Sequence, residues 1–178
     1  DVNTKVVDVF KHLDSDPDEA TRFKDYCSGY DKFVFHNGIG FDVPVLNRIL
    51  GHTIKPQDVV DTLVVSRMLD YNIQGGHSLD AWGKRLGLYK GNFKDFEGGL
   101  TQEMIDYCVN DVEVTVRLFN KFKSVIFDKS WARSLRLEHD IQITCEDMKT
   151  NGFKFDEDKA EEFLGEILTR MDQLELQF

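Results

Sequence analysis

Two segments of the sequence place acidic side chains at spacings that suit chemistry on a charged substrate. The segment HNGIGFD ends at Asp42, and the segment YCVND ends at Asp111, four residues after Tyr107. Residues four apart on a helix project from the same face, so the Tyr107 hydroxyl would lie beside the Asp111 carboxylate. Carboxylates supply the oxygen ligands that Mg²⁺ and Mn²⁺ prefer. Asp42 and Asp111 are therefore candidate metal ligands, and Tyr107 could hold a water molecule between them and a substrate.

Each segment also has a simpler structural interpretation. Asp42 follows a glycine-containing bend and could serve only to cap the helix that begins there. Tyr107 and Asp111 could belong to an ordinary amphipathic helix, with the ring partly buried and the carboxylate in water. Taken one at a time, the two segments leave both interpretations open.

Strands and helices that could position these residues alternate along the chain, which predicts an α/β fold. Strands are expected at Lys5–Phe10, Lys32–His36 and Val59–Val60, where β-branched and aromatic residues concentrate. The capping residues, glycine stops and apolar spacing predict helices at about residues 17–27, 42–50, 61–69, 79–86, 101–123, 135–149 and 158–176.

Composition narrows the class of protein. The chain has 178 residues, 41% hydrophobic and 30% charged, as expected of a globular protein. Its net charge of −10 argues against a general nucleic-acid coat, which would be basic, but not against an enzyme that reaches phosphates through metal ions. No signal peptide or membrane-spanning run is predicted. The three cysteines form no CxxC pair, which favours a reducing compartment.

Considered together, the motifs resemble a known class of nuclease. The pattern N-x₃-F-D at 37–42, the triplet DTL at 61–63 and Y-x₃-D at 107–111 resemble the second and third motifs of the DEDD exonucleases, in the branch with a tyrosine (DEDDy). Segments such as DKFVFHNGIGFDVPVLNRI and HSLDAWGKRLGLYKGNF are similar to the exonuclease domain of the family A DNA polymerases of T-seven-type podoviruses. The tail, LRLEHDIQITCEDMKTNGFKFD, is similar to the start of their polymerase domain.

This resemblance implies a ribonuclease H-like exonuclease layer, with a mixed sheet flanked by helices and further helices at the C-terminus. Residues 1–130 would form the exonuclease domain and 131–178 the first, incomplete part of the polymerase domain. The family's first motif, Asp-x-Glu on the first strand, has no counterpart upstream of Asn37. We therefore expect the exonuclease domain to lack its first strands and the chain to be an internal piece of a longer polypeptide.

The resemblance also implies a role for individual residues. Asp111 would ligate the metal that activates water, and Asp42 would support a second metal. Tyr107 would orient the attacking hydroxide. Asn37 and Phe41 would shape the pocket around the terminal nucleotide.

For other side chains near these motifs, the sequence makes less specific predictions. His36 is assigned either to the nucleotide pocket or to packing at the end of its strand. Residues expected to be structural are Asp61, Thr62, His77 and Trp82. Basic residues expected to be solvated rather than bound to phosphates are Lys84, Arg85, Lys90 and Lys94.

The implied function is proofreading: two-metal hydrolysis, with Mg²⁺ or Mn²⁺, of the 3′-terminal phosphodiester of single-stranded DNA, impaired in this chain because Asp-x-Glu is absent. The implied partners are a single-stranded 3′ end, primer-template DNA and the remainder of the polymerase, with any processivity factor bound outside this chain and no membrane. The implied location is the cytoplasm of the infected bacterial host. Alternatives are a catalytically silent exonuclease-like module that guides a strand, and a DEDDy ribonuclease.

Overall fold

The computed structural model describes all residues except 3, 5, 52, 89–92, 94–98, 177 and 178. The described part is mostly helical, with one small sheet. Its elements in chain order are α1 (Pro17–Ser28), β1 (Phe33–Phe35), α2 (Asp42–Leu50), β2 (Val59–Asp61), α3 (Thr62–Leu69), α4 (Leu79–Arg85), α5 (Gln102–Ile126), α6 (Ala132–Asn151) and α7 (Glu157–Glu175).

The sheet consists of β1 and β2, which pair in parallel among the described residues. Their register places Phe33 opposite Val59 and Phe35 opposite Asp61. Both strands therefore end at the same edge, and each continues into a helix on that side. Parallel strands joined through a helix are typical of α/β proteins. This part of the fold agrees with the predicted α/β class. The mixed, ribonuclease H-like layering stays a prediction.

Side-chain caps explain where most helices begin. Asp16 accepts from the amides of Asp18 and Glu19 at the start of α1. Ser78, Thr101 and Asp156 cap α4, α5 and α7 in the same way. These caps satisfy backbone N–H groups that have no partner within the helix. The four caps confirm the helix starts predicted from sequence.

The predicted strand at Lys5–Phe10 is wrong for the part that the structure describes. Residues 6–10 form no strand and join no sheet. The Arg22 guanidinium donates to the carbonyl of Val9 and lies over the ring of Phe10. Phe10 also packs edge-on against Phe23, with ring centroids 5.1 Å apart. Side-chain contacts with α1 therefore take the place of a strand ladder, which local β-propensity cannot reveal.

Two apolar clusters of buried residues form the core. The first comprises Cys27, Ile39, Val43, Ile54 and Val59. The second comprises Val65, Trp82, Leu118 and Phe122. The helix α6 packs on both, through Ile143 on the first cluster and Leu135 on the second.

The chain divides into two compact units, Asp1–Glu146 and Asp147–Phe178. The first contains the sheet, both clusters and most of α6. The second contains the last turn of α6 and α7. The predicted domain boundary at 130/131 stays a prediction. No helix in the described ranges has the length and apolar character needed to cross a membrane.

Candidate active site

The site begins at the carboxyl ends of β1 and β2, where a buried acid organises the loop that leads to Asp42. Asp61, at the end of β2, is only 1% exposed. One of its carboxylate oxygens accepts from the amide of Asn37 at 2.8 Å, and the other accepts from Ile39 at 3.1 Å. The first oxygen also accepts from Leu63 at 3.0 Å and so caps α3. Asp61 is structural, as predicted, but it shapes the loop after β1 as well as a helix start.

The conformation of the loop after β1 depends on the residue types at positions 37 and 38. Asn37 has a φ of 65°, a left-handed conformation that asparagine tolerates better than most residues. A Cβ on Gly38 would lie 2.2 Å from the Cβ of Phe35, which no small adjustment relieves. Glycine at 38 therefore lets the chain turn tightly under β1. This turn brings Ile39 into the core and delivers residues 41 and 42 to the strand edge.

Asp42 is the first residue of α2 and is partly buried. Burial raises the pKa of its carboxyl; its own backbone N–H opposes that effect, and the nearby Asp61 adds to it. The N-cap position belongs to Phe41, so the structure does not support Asp42 as a mere cap. Phe41, the residue before Asp42 in the sequence, is 63% exposed. The acid with the raised pKa thus directly follows an exposed aromatic residue in the chain.

His36 is held at the end of β1 by a neighbouring hydroxyl. Its Nδ1 lies 2.9 Å from the hydroxyl oxygen of Thr62, and that hydroxyl donates to the carbonyl of Phe35. Since the Thr62 proton is used on the carbonyl, His36 donates from Nδ1. These contacts fit packing at the strand end, and a role for His36 in binding a nucleotide stays a prediction.

Tyr107 and Asp111 lie one turn apart in α5, on the stripe that faces the core. The same stripe continues through Val114 and Leu118, both fully buried, and α5 contacts β1, α3 and α4. One Asp111 carboxylate oxygen is shielded from solvent. An acid on a core-facing stripe is unusual, because burial of a charge is costly. Of the two acids that the sequence singled out, Asp42 begins the helix that follows β1, and Asp111 lies in α5, a helix that contacts β1.

The carboxylate oxygens of Asp42 and Asp111 are of the type that binds a hard divalent cation, but two carboxylates are too few for a complete site. Asp42 and Asp111 offer carboxylate oxygens, and the raised pKa of Asp42 is the property that a bound cation would reverse. Within the described ranges, however, no three acidic, histidine or cysteine side chains gather closely enough to hold a metal ion. A complete site for Mg²⁺ or Mn²⁺ needs more oxygen ligands than these two acids supply.

The remaining predicted residues have mainly structural contacts. Trp82 is buried and donates to Ser66, which also contacts Nδ1 of His77 at 2.7 Å. This confirms His77 as a loop anchor and Trp82 as core.

The basic residues of this region make contacts within the protein. Lys84 pairs with Asp80, and Arg85 donates to the carbonyls of residues 74 and 76. Lys90 and Lys94 lie outside the described residues.

Sequence reasoning missed two residues of α6 that reach this edge of the sheet. Nε2 of His139 accepts the backbone N–H of Asp61 at 2.9 Å. A carboxylate oxygen of Glu146 lies 2.9 Å from where a Cβ on Gly40 would be. The available signal was the spacing of Leu135, His139 and Ile143, which places a histidine on an otherwise apolar stripe.

Comparisons with known proteins identify the family to which the chain belongs. A sequence profile described as 3′–5′ exonuclease matches residues 28–126, more than half of the chain and all the candidate residues named above except those of α6. The chain belongs to this 3′–5′ exonuclease family.

Two curated proteins are similar in sequence to this chain. The chain is 29% identical to the DNA-directed DNA polymerase of Escherichia phage T7 over 197 aligned positions. It is equally similar to the enzyme of the same name from Enterobacteria phage T3. Each alignment covers 79% of this chain and 28% of the relative. The chain thus matches less than a third of the length of these polymerases.

Proposed function

We propose that this chain is the proofreading 3′→5′ exonuclease region of a phage DNA-directed DNA polymerase. Membership in the 3′–5′ exonuclease family and similarity to two phage polymerases support it. The observation that carries the proposal is Asp42, a partly buried acid at the start of the helix that follows β1 and its loop, preceded in the chain by the exposed residue Phe41. Ligands of open α/β sheets bind at this edge. The whole layer would be ribonuclease H-like.

The proposed substrate is the frayed 3′ end of single-stranded DNA. The ring of Phe41 is exposed enough for a terminal base to stack on it. Asn37 would border the same pocket, with its backbone fixed by Asp61. Stacking tolerates any base, which suits an enzyme that removes whatever nucleotide is misplaced.

The proposed reaction is hydrolysis of the last phosphodiester. Divalent cations would supply activation of water and stabilisation of the leaving 3′ oxygen. Asp42 and Asp111 would hold them together with further oxygen ligands, and Tyr107 would orient the attacking water from one turn before Asp111. Primer-template DNA and the rest of the polymerase would be the partners, in the cytoplasm of the infected host.

A directional nuclease assay on the full-length protein tests this proposal. Single-stranded DNA labelled at its 5′ end should yield a ladder shortened from the 3′ end in Mg²⁺, and none in excess chelator. DNA with a blocked 3′ end and RNA of the same sequence serve as controls. Release of nucleotides from the 5′ end, or equal rates on RNA and DNA, would contradict the proposal.

A second candidate, a silent module that guides a DNA strand, is favoured by the lack of a three-ligand metal cluster within the described residues. Calorimetric titration of the folded chain with Mn²⁺ separates the two candidates. Tight binding of two ions, abolished by Asp111→Asn, favours the enzyme. Binding of single-stranded DNA without any uptake of Mn²⁺ favours the guide.

A further inference from the structure

His139, in α6, holds the end of β2 through a hydrogen bond. Its Nε2 accepts the Asp61 amide at 2.9 Å, and its Nδ1 lies 2.7 Å from the carbonyl of Leu135. Since a carbonyl can only accept, Nδ1 must carry the proton and Nε2 must be bare. The imidazole is therefore fixed in one tautomer, between its own helix and the sheet edge.

The residue that His139 holds is the one on which the loop depends. The Asp61 amide points to α6, while its carboxylate accepts the amides of Asn37 and Ile39. A displacement of Asp61 would therefore move both loop amides. Asp42 follows Ile39 by three residues, so the loop transmits the position of Asp61 to the candidate metal ligand.

The rest of α6 is anchored on both sides of His139. One turn before it, Leu135 packs on the cluster around Trp82, and one turn after it, Ile143 packs on the cluster around Val43. Two turns after it, Glu146 lies against the backbone of Gly40 in the same loop. The helix is thus seated as a rigid support for the loop, with His139 as its hydrogen-bonding contact to the sheet.

We propose that His139 is a positioning residue for the exonuclease site, acting through Asp61 on the loop that carries Asp42. This rests on the proposed function above for its catalytic consequence, but not for the structural link itself. The sequence predicts that the segment around His139 begins the polymerase domain. The link would make the geometry of the exonuclease site depend on a helix that leads to that domain.

Three variants separate the hydrogen bond from general packing. His139→Leu keeps an apolar side chain of comparable reach and removes the acceptor. His139→Gln restores an acceptor oxygen at a similar distance from the helix. His77→Leu is the matched control, since His77 is also hydrogen-bonded through both ring nitrogens but anchors the loop before α4. Thermal unfolding of each variant measures its general effect on stability.

The structural link is tested by amide hydrogen exchange and imidazole ¹⁵N shifts. In His139→Leu, exchange at Asp61, Asn37 and Ile39 should accelerate about fivefold relative to His77→Leu, the size expected for one lost hydrogen bond. His139→Gln should restore most of the protection. The ¹⁵N shifts should show the proton on Nδ1 in His139 and on Nε2 in His77, whose Nε2 faces the carbonyl of Tyr71.

The catalytic consequence is tested by steady-state hydrolysis of single-stranded DNA by the full-length protein. His139→Leu should lower kcat by about ten- to a hundredfold with KM little changed, since support of a metal ligand is lost but the exposed binding surface is kept. His139→Gln should recover part of kcat, and His77→Leu should keep the wild-type value.

The possible results distinguish the two proposals. Unchanged exchange at all three amides in His139→Leu, or a proton on Nε2 of His139, would overturn the positioning role whatever the nuclease assay gives. Accelerated exchange combined with hydrolysis that is insensitive to Asp111→Asn would establish the link and refute the proposed function. An equal loss of kcat in His77→Leu would also overturn the specific role of His139.

Discussion

At the scale of single residues, the site is dominated by two acids with opposite surroundings. Asp61 is enclosed by backbone N–H groups, which suit a buried carboxylate. Asp42 has only its own N–H against the cost of burial and the repulsion of Asp61. Carboxyl groups whose pKa is shifted by burial and by a neighbouring acid are common in functional sites.

The raised pKa of Asp42 predicts a pH-dependent effect on stability. The folded state keeps this proton to a higher pH than the unfolded state, so stability is fully present below the ordinary carboxyl pKa and is lost as pH rises through the raised value. In chelator, Asp42→Asn should therefore unfold at higher urea concentration than wild type at pH 7, and at the same concentration near pH 3.

Asp14→Asn is the control for this change in charge, because it neutralises an exposed acid in the turn before α1. It should follow wild type at both pH values. A lower urea midpoint for Asp42→Asn at pH 7 would contradict the assignment of Asp42 as a strained acid.

For Asp61, which is enclosed by backbone N–H groups, we predict that replacement by asparagine lowers stability. Asp61→Asn places an amide NH₂ against backbone donors and should lower the free energy of unfolding by roughly 3 kcal/mol. Asp58→Asn, which weakens only an exposed pair with Lys32, should cost about 0.5 kcal/mol or less. Urea unfolding of both variants measures the difference. Equal losses would show that Asp61 does not hold the loop.

At the scale of elements, helix starts were predictable and long-range placement was not. The caps Asp16, Ser78, Thr101 and Asp156 are local signals, and each marks the start of a helix. The segment before α1 was wrongly predicted as a strand because its β-forming residues find aromatic contacts instead of a strand partner. The contact of His139 with Asp61 joins residues 78 apart in sequence, beyond the reach of any local pattern.

The helix α5 joins the candidate site to the core, so its packing should control stability separately from function. Leu118 is fully buried, seven residues after Asp111 on the same stripe. Leu118→Ala should cost about 2–5 kcal/mol by leaving a cavity. Val112→Ala, at a position 50% exposed on the same helix, should cost about 0.5 kcal/mol or less. Similar losses in the two variants would contradict the packing of α5 described above.

At the scale of the whole molecule, the sequence predicted the candidate site residues, and the structure supplied their placement in the fold. The motifs at 36–42 and 107–111 were recognised from residue types and spacing, and the family match spans both. Their placement on two different helices, α2 and α5, depends on the fold. The support of the loop by Asp61 and α6 could not be read from spacing, because each contact joins segments that are distant along the chain.

We propose that Asp42 and Asp111 are the metal-holding acids of a 3′→5′ exonuclease. The most direct test is the rate of 3′-end hydrolysis of single-stranded DNA in Mg²⁺ by the full-length protein carrying Asp42→Asn or Asp111→Asn, with primer extension measured in parallel. Each variant should lose at least about a hundredfold in hydrolysis, since metal ions supply several kcal/mol of transition-state stabilisation, and should keep primer extension. Undiminished hydrolysis in both variants would contradict the claim.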